Sequence, residues 1–386
     1  MLSSNIFYNN FKLRNNKLKK KILIELNKLN DRSNQVFESL KKNYKDSYSY
    51  KLVLKFKKYN NFKLIGMGGS ILGAKAIYNF LAPKLKKFQF IDNFSESNLN
   101  NNKKKRATIV ISKSGSTLET IANVSVHIKK NEKNIFLTEN KDNYLRLLAK
   151  KLKADVVSHN NYIGGRYSVL SEVGMLPAEL MGFKPEKFRR LNYLIKDKKF
   201  INSLICSVLN ILILNKNKTN SIILNYDYKS NELFDWYQQL VAESLGKNKK
   251  GILPIVSKMP QDNHSLMQYY LDGNKCNFFT LFFNKDYKSK LINKDLILKS
   301  HKHLKNKKLN EILFSQFLAT EKVFKKRNIP FRSFIVQKRN EETLGELFTY
   351  FILETILIGK AMKVNPYNQP AVEYIKKDTT NILKSI

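Results

Sequence analysis

The sequence predicts an α/β protein whose mainly parallel sheets carry helices on both faces. Two observations support that class. Short apolar runs alternate with helix-period segments along most of the chain, an order that needs crossover helices between parallel strands. Two of the runs also end in loops rich in glycine or hydroxyl side chains just before a helix, at 66–70 and 112–117. That strand–turn–helix form holds anions on unpaired backbone N–H groups and a positive dipole end. With 386 residues, 42% of them hydrophobic, the chain is long enough for two cores.

The elements follow in order. Residues 1–44 read as a lysine-rich helical arm, with Leu18, Ile22, Ile24, Leu26 and Leu29 as an imperfect apolar stripe. A first α/β unit is expected over 45–198, with strands near 62–65, 88–91, 107–111, 134–138 and 154–157. After the first of these, Gly66, Gly68, Gly69 and Ser70 make a tight turn into a helix that reaches Leu81 and stops near Pro83. The turn lacks the third glycine of a dinucleotide site, and alone it also fits close strand–helix packing. Helices over 185–196 and 200–214 lead to a second unit, 199–386, with strands at 221–225, 279–283 and 334–336. An apolar helix over 344–362 and a last helix over 372–383 complete it. No linker rich in Gly, Pro or Ser separates the units, so they should pack closely.

Composition excludes several function classes. Lys+Arg number 70 against 31 Asp+Glu, a net charge of +39. The lysines are scattered, and no helix–turn–helix or zinc-finger spacing occurs, so a specific nucleic-acid partner is not expected; the charge suits anionic substrates. Cys206 and Cys276 make neither a disulfide framework nor a metal site and fit a reducing compartment. The longest apolar run, 347–358, holds Glu354 and is too short to cross a bilayer. The first ten residues lack the basic-then-apolar order of a signal peptide. A soluble, cytoplasmic protein without a membrane partner is the expectation.

Several residue types could carry chemistry. Ser112, Lys113, Ser114, Ser116 and Thr117 surround Gly115 after an apolar strand, as a phosphate cradle would, although Ser and Thr also cap helices. Arg166 follows Gly164 and Gly165 on a tight backbone. Gln239 and Glu243 are four apart and share a helix face. Glu243 is a candidate general base or else a surface partner of Lys247. His264 sits just past a turn, where an imidazole suits proton transfer near neutral pH or plays a structural part. A proline-bracketed turn, 365–370, brings Gln369 and then Lys376 towards a possible anion, though most lysines here are solvated.

Five stretches together resemble the phosphoglucose isomerase family, in the family's order. They are Gly-Met-Gly-Gly-Ser at 66–70, Ser-Lys-Ser-Gly-Ser-Thr-Leu-Glu-Thr at 112–120, Gly-Gly-Arg-Tyr-Ser-Val-Leu-Ser at 164–171, Gln-Gln-Leu-Val-Ala-Glu-Ser-Leu-Gly-Lys at 238–247 and Gln-Pro-Ala-Val-Glu at 369–373. The third and fourth are the most specific. The resemblance implies two flavodoxin-like sugar-isomerase (SIS) domains, a homodimer with sites between subunits, and interconversion of glucose 6-phosphate and fructose 6-phosphate without metal or organic cofactor. By motif position, Glu243 resembles the base that moves a proton between C2 and C1, and Arg166 the cation that stabilises the enediolate. His264, contributed across the dimer interface, and Lys376 would assist ring opening, and Glu119 would orient His264. Gly69 lies in the phosphate turn; Ser70, Ser112, Lys113, Ser114 and Thr117 resemble phosphate contacts, with Gln239 and Gln369 close to the sugar phosphate.

The chain departs from the family in being short, mostly at its N-terminus, and in having Ser114 where threonine is common. The segment before His264 varies among relatives. A non-catalytic sugar-phosphate-binding protein on the same domains would need none of Glu243, Arg166, His264 and Lys376, and all four are present. Additional action on mannose 6-phosphate stays open.

Overall fold

The computed structural model describes residues 2–11, 19–31, 34–94, 105–129 and 132–386. The N-terminal segment is not simply the helical arm expected. Its first element is a strand, β1 (Ile6–Asn9), followed by helices α1 (Lys19–Asp31), α2 (Gln35–Ser39) and α3 (Tyr50–Lys57). Ile22, Leu26 and Leu29 of the expected stripe are buried, Ile24 is exposed, and Leu18 lies outside the described residues.

The first sheet contains β2 (Asn61–Gly66), β3 (Lys87–Ile91), β4 (Arg106–Ile111), β5 (Lys133–Glu139) and β6 (Asp155–His159), all parallel, in the order β3-β2-β4-β5-β6. Its crossover helices are α4 (Leu72–Leu81), α5 (Leu118–His127) and α6 (Tyr144–Lys151). α7 (Glu172–Leu180), the short α8 (Pro185–Phe188) and α9 (Leu191–Leu194), and α10 (Lys198–Leu214) lead onward. The helix expected over 185–196 is broken at Arg189. That residue takes an extended conformation and turns its guanidinium inward onto Leu170 O at 3.0 Å and Asp46 Oδ1 at 2.6 Å.

The second sheet repeats the order with β7 (Asn220–Asn225), β8 (Leu253–Lys258), β9 (Asn277–Asn284) and β10 (Phe331–Val336), arranged β1-β10-β9-β7-β8. β7 to β10 are parallel, and β1 closes the edge antiparallel to β10. Helix α11 (Asn231–Leu245) joins β7 to β8; α12 (Met267–Asp272), α13 (Leu309–Lys326), α14 (Glu341–Ala361) and α15 (Val372–Ser385) complete the chain. β8 was not among the expected strands. Pro254 weakens its strand signal, and it lies at a sheet edge, where proline is tolerated.

Alternation along the strands sorts the core into layers. In β4, Ala107, Ile109 and Ile111 face the centre of the molecule while Val110 joins Val124 of α5 on the outer face. In β9, Phe278 and Phe282 face the centre, whereas Phe279, Leu281 and Phe283 meet Phe317 and Phe324 of α13. The central cluster is continuous: α4, α7, α10, α11 and α14 are sandwiched between the two sheets and serve both. Glu354, the charge that interrupted the longest apolar run, is buried on α14 and paired through two oxygens with the buried Arg332 of β10. Among the described residues no helix is long and apolar enough to cross a membrane.

Candidate active site

The strand order of the first sheet reverses between β2 and β4, and α4 and α5 leave them on opposite faces. A crevice therefore opens beyond the carboxyl ends of these two strands, where such sheets bind ligands. Both predicted loops lie there. α11 packs against α4 from the central layer, which brings residues of the second half to the same crevice. The resulting cleft has a volume of about 570 Å³.

The turn after β2 forms one wall. Gly68 has φ +51°, and a Cβ there would lie 2.8 Å from Gln239 Nε2. A Cβ on Gly69 would lie 2.1 Å from Gly165 C and 2.4 Å from Arg166 N. The glycines are needed because two backbones touch: the turn is seated directly on the segment that carries Arg166.

The loop after β4 forms the opposite end. Thr117 is the N-cap of α5, yet its side chain makes no capping hydrogen bond. Its hydroxyl instead bonds Ser112 Oγ at 2.9 Å. This decides against the plain capping role and leaves the start of the helix available to an anion. Ser70, Ser114, Ser116 and Thr117 line the cleft. Gly115, at φ +66°, lets the loop fold against Asn143, whose side chain caps α6. Ser112 is placed differently from the expectation: it is buried behind the loop and reaches the cleft through Thr117. Lys113 Nζ donates to Asn161 O at 2.7 Å and lies 3.6 Å from Glu139, which also pairs with Lys141. Lys113 and Lys141 thus stand with Glu139 at this end, and Glu119 in the first turn of α5 lines it too.

At the other end Arg166 is buried, and every one of its N–H groups has an acceptor. Nε donates to Ser244 Oγ at 2.8 Å; Nη1 to Glu243 Oε2 at 3.1 Å and Gln369 Oε1 at 2.8 Å; Nη2 to Pro366 O at 2.7 Å and Asn368 O at 3.1 Å. Trp236 Nε1 in turn holds Arg166 O at 3.1 Å. Nη2 and Nε fix the guanidinium, while Nη1 points its two bonds at groups lining the cleft. Glu243 is partly exposed, and Gln239 Nε2 donates to the same Oε2 at 3.4 Å. Among the described residues, Gln239 Oε1 is buried without a hydrogen-bond partner at this wall. A carboxylate beside a fixed cation, facing an anion cradle, can take a proton from carbon while charge grows on the neighbouring oxygen.

Ten of the twelve predicted site residues line this one cleft: Gly69, Ser70, Lys113, Ser114, Thr117, Arg166, Gln239, Glu243, Gln369 and Lys376. Lys376 stands at its rim, largely exposed and paired with Glu373 at 2.7 Å. Besides Ser112, only His264 is absent from the lining. It is exposed at the end of a 3-10 turn after β8, and no hydrogen bond joins it to Glu119 within the chain among the described residues. Lys247 does not pair with Glu243, since Arg166 takes that carboxylate. Sequence reasoning missed Ser244 and Tyr167, whose hydroxyls lie 2.8 Å apart beneath Arg166. Both adjoin singled-out residues in the two most specific motifs, which is the signal that could have found them.

The family model described as phosphoglucose isomerase matches residues 10–321. This chain belongs to the phosphoglucose isomerase family. It is 32% identical over 345 residues to a glucose-6-phosphate isomerase of Methanocaldococcus jannaschii, covering 84% of this chain and 85% of that one. A glucose-6-phosphate isomerase of Mycoplasmopsis synoviae is 33% identical over 347 residues, covering 82% of this chain and 80% of that one. Among solved structures, a hypothetical protein from Thermus thermophilus superposes with TM-score 0.84 at 22% identity, covering 95% of this chain and 94% of that one. A glucose-6-phosphate isomerase from Chlamydia trachomatis superposes with TM-score 0.67 at 18% identity, covering 97% and 80%. These superpositions share the fold of this phosphoglucose isomerase family member: two mainly parallel sheets with helices between and outside them.

Proposed function

We propose that this protein interconverts glucose 6-phosphate and fructose 6-phosphate through a cis-enediolate. The observation that carries the reading is one cleft with Glu243 Oε2 held 3.1 Å from Arg166 Nη1 at one end and the uncapped start of α5, ringed by hydroxyls, at the other. The dianionic phosphate sits against α5, with Ser70, Ser114, Ser116 and Thr117 donating and Lys113 supplying charge. Anchoring the substrate far from its reacting carbons supplies positioning energy. Gln239 and Gln369 reach the sugar.

In the open-chain sugar, Glu243 takes the proton from C2. The electron pair of that C–H bond becomes the C1–C2 double bond, and charge moves to O1, where Arg166 Nη1 stabilises it. The O2–H proton passes to O1, which leaves the enediolate charge on O2; Glu243 then returns its proton to C1 as the O2 electron pair forms the carbonyl at C2 and the C1–C2 double bond reverts to a single bond. One carboxylate serves both transfers because the two carbons are adjacent. To donate to the substrate oxygen, Nη1 exchanges its bond to Glu243 or Gln369, while Nη2 and Nε keep the guanidinium in place. Lys376 at the rim assists ring opening. His264 assists from the partner subunit of a homodimer, a role suited to its exposure away from this chain's own cleft. A cytoplasmic setting accompanies the reading, in keeping with two unpaired cysteines.

A coupled assay with fructose 6-phosphate supplied and glucose 6-phosphate detected tests the activity. Glu243→Gln is expected to lower kcat at least about a thousandfold while binding of the sugar phosphate persists. Undiminished turnover in that variant would remove Glu243 from the role of base.

A further inference from the structure

A second cation grips the same two segments as Arg166. Lys247 Nζ donates to Ser244 O at 2.6 Å and to Asn365 O at 2.8 Å. Arg166 holds the adjoining groups, Ser244 Oγ through Nε and Pro366 O through Nη2. One segment is the last turn of α11, which carries Glu243. The other is the 365–369 turn, which carries Gln369. Helix ends leave carbonyls unpaired, and an ammonium satisfies them with charge of the favourable sign.

The backbone around Lys247 is itself held. Lys247 and Lys250 exchange hydrogen bonds of 3.1 and 2.9 Å across a two-residue turn in which Asn248 and Lys249 have φ of +54° and +58°. Beneath that turn, a Cβ on Gly251 would lie 2.9 Å from Gly246 Cα. Lys247 does not line the main cleft. It faces a neighbouring hollow of about 730 Å³ that shares Glu243 and Gln369 with the cleft.

We infer that Lys247 is a positioning residue for the isomerisation, locking the 365–369 turn to the end of α11 and so setting Glu243 against the Arg166–Gln369 pair. The inference rests on Glu243 being the base. Around the ammonium stand Glu243 on the preceding helix, α11, and Arg166 from the segment before α7; Lys249, Lys250 and Tyr374 line the same hollow. Burial, followed by repulsion from Arg166, pulls the pKa of Lys247 down to about 8. Above that pH the group loses its charge and its hold on two carbonyls weakens, so kcat falls on the alkaline side.

The test compares K247M and K247R with the unaltered protein by kcat and KM across about pH 6.5–9.5, and by amide hydrogen exchange over 242–246 and 365–369. K247M is expected to lower kcat about ten- to a hundredfold with KM changed less than about twofold, and to speed exchange in both segments. K247R keeps charge and donors; it recovers most of kcat and moves the alkaline fall to higher pH. An unchanged kcat in K247M, or a loss without faster exchange at 365–369, overturns the inference. If K247M does not fold, K247Q carries the same comparison. Absence of turnover in the unaltered protein overturns the isomerase reading instead, and the exchange comparison then still decides whether Lys247 locks the two segments.

Discussion

Gly69 and Gly165 meet backbone to backbone, so closely that a Cβ on Gly69 would lie 2.1 Å from Gly165 C. Through this contact the turn that carries Ser70 and the turn that carries Arg166 become one surface. The two ends of the cleft are joined there without any side chain.

Gly69→Ala should therefore damage both stability and turnover. No flexible side chain can yield, since the nearest atoms are Gly165 C and O and Arg166 N. A loss of about 1–3 kcal/mol or more is expected from overpacking. Chemical denaturation and the coupled isomerase assay measure the two effects. A variant as stable and active as the unaltered protein would contradict the contact.

Thr117 and Ser112 should differ in their effects on substrate binding. Thr117 lines the cleft, whereas Ser112 is buried and reaches it only through the 2.9 Å bond to Thr117. Thr117→Ala should raise KM about ten- to a hundredfold, the loss of one hydrogen bond to a charged group. Ser112→Ala should raise it less than about tenfold. Steady-state kinetics decide the order; a larger effect at Ser112 would mean that it touches the phosphate itself.

His159, at the end of β6, should make the fold sensitive to mild acid. It is buried, its Nδ1 lies 2.9 Å from Asn160 O, and burial pulls its pKa down to about 4. An unfolded histidine titrates near 6.5. Between those values the unfolded chain binds the extra proton, so stability is lost as pH falls from about 6.5 towards 4 and is unaffected above that window. The contribution is on the order of 3 kcal/mol. His159→Asn should flatten the pH dependence of the denaturation midpoint within the window; an equally steep profile in the variant would assign the acid sensitivity to other groups.

Much of the architecture was legible because strands and helices announce themselves locally. The runs at 62–65, 107–111 and 134–138 lie inside β2, β4 and β5, and the apolar helix over 344–362 corresponds to α14. β1 was not legible. Four residues in a lysine- and asparagine-rich segment carry little periodicity, and their partner strand, β10, is more than three hundred residues away. β8 was hidden by Pro254. The shared helical layer was also hidden, since periodicity reports that a face is buried and not which sheet buries it.

At the site, residue types and spacing along the chain pointed to an anion cradle, a carboxylate and an arginine. Only the tertiary structure decided which hydroxyls face the cleft and which cations have fixed partners. Arg166 meets Ser244, 78 positions along the chain, and Gln369, 203 positions along. Lys247 looked like a surface partner for Glu243 and instead bridges to Asn365, 118 positions away. The reason is physical. Local propensity and periodicity depend on neighbours within a few residues, whereas burial and hydrogen-bond partners are set by segments that meet only when the chain is folded.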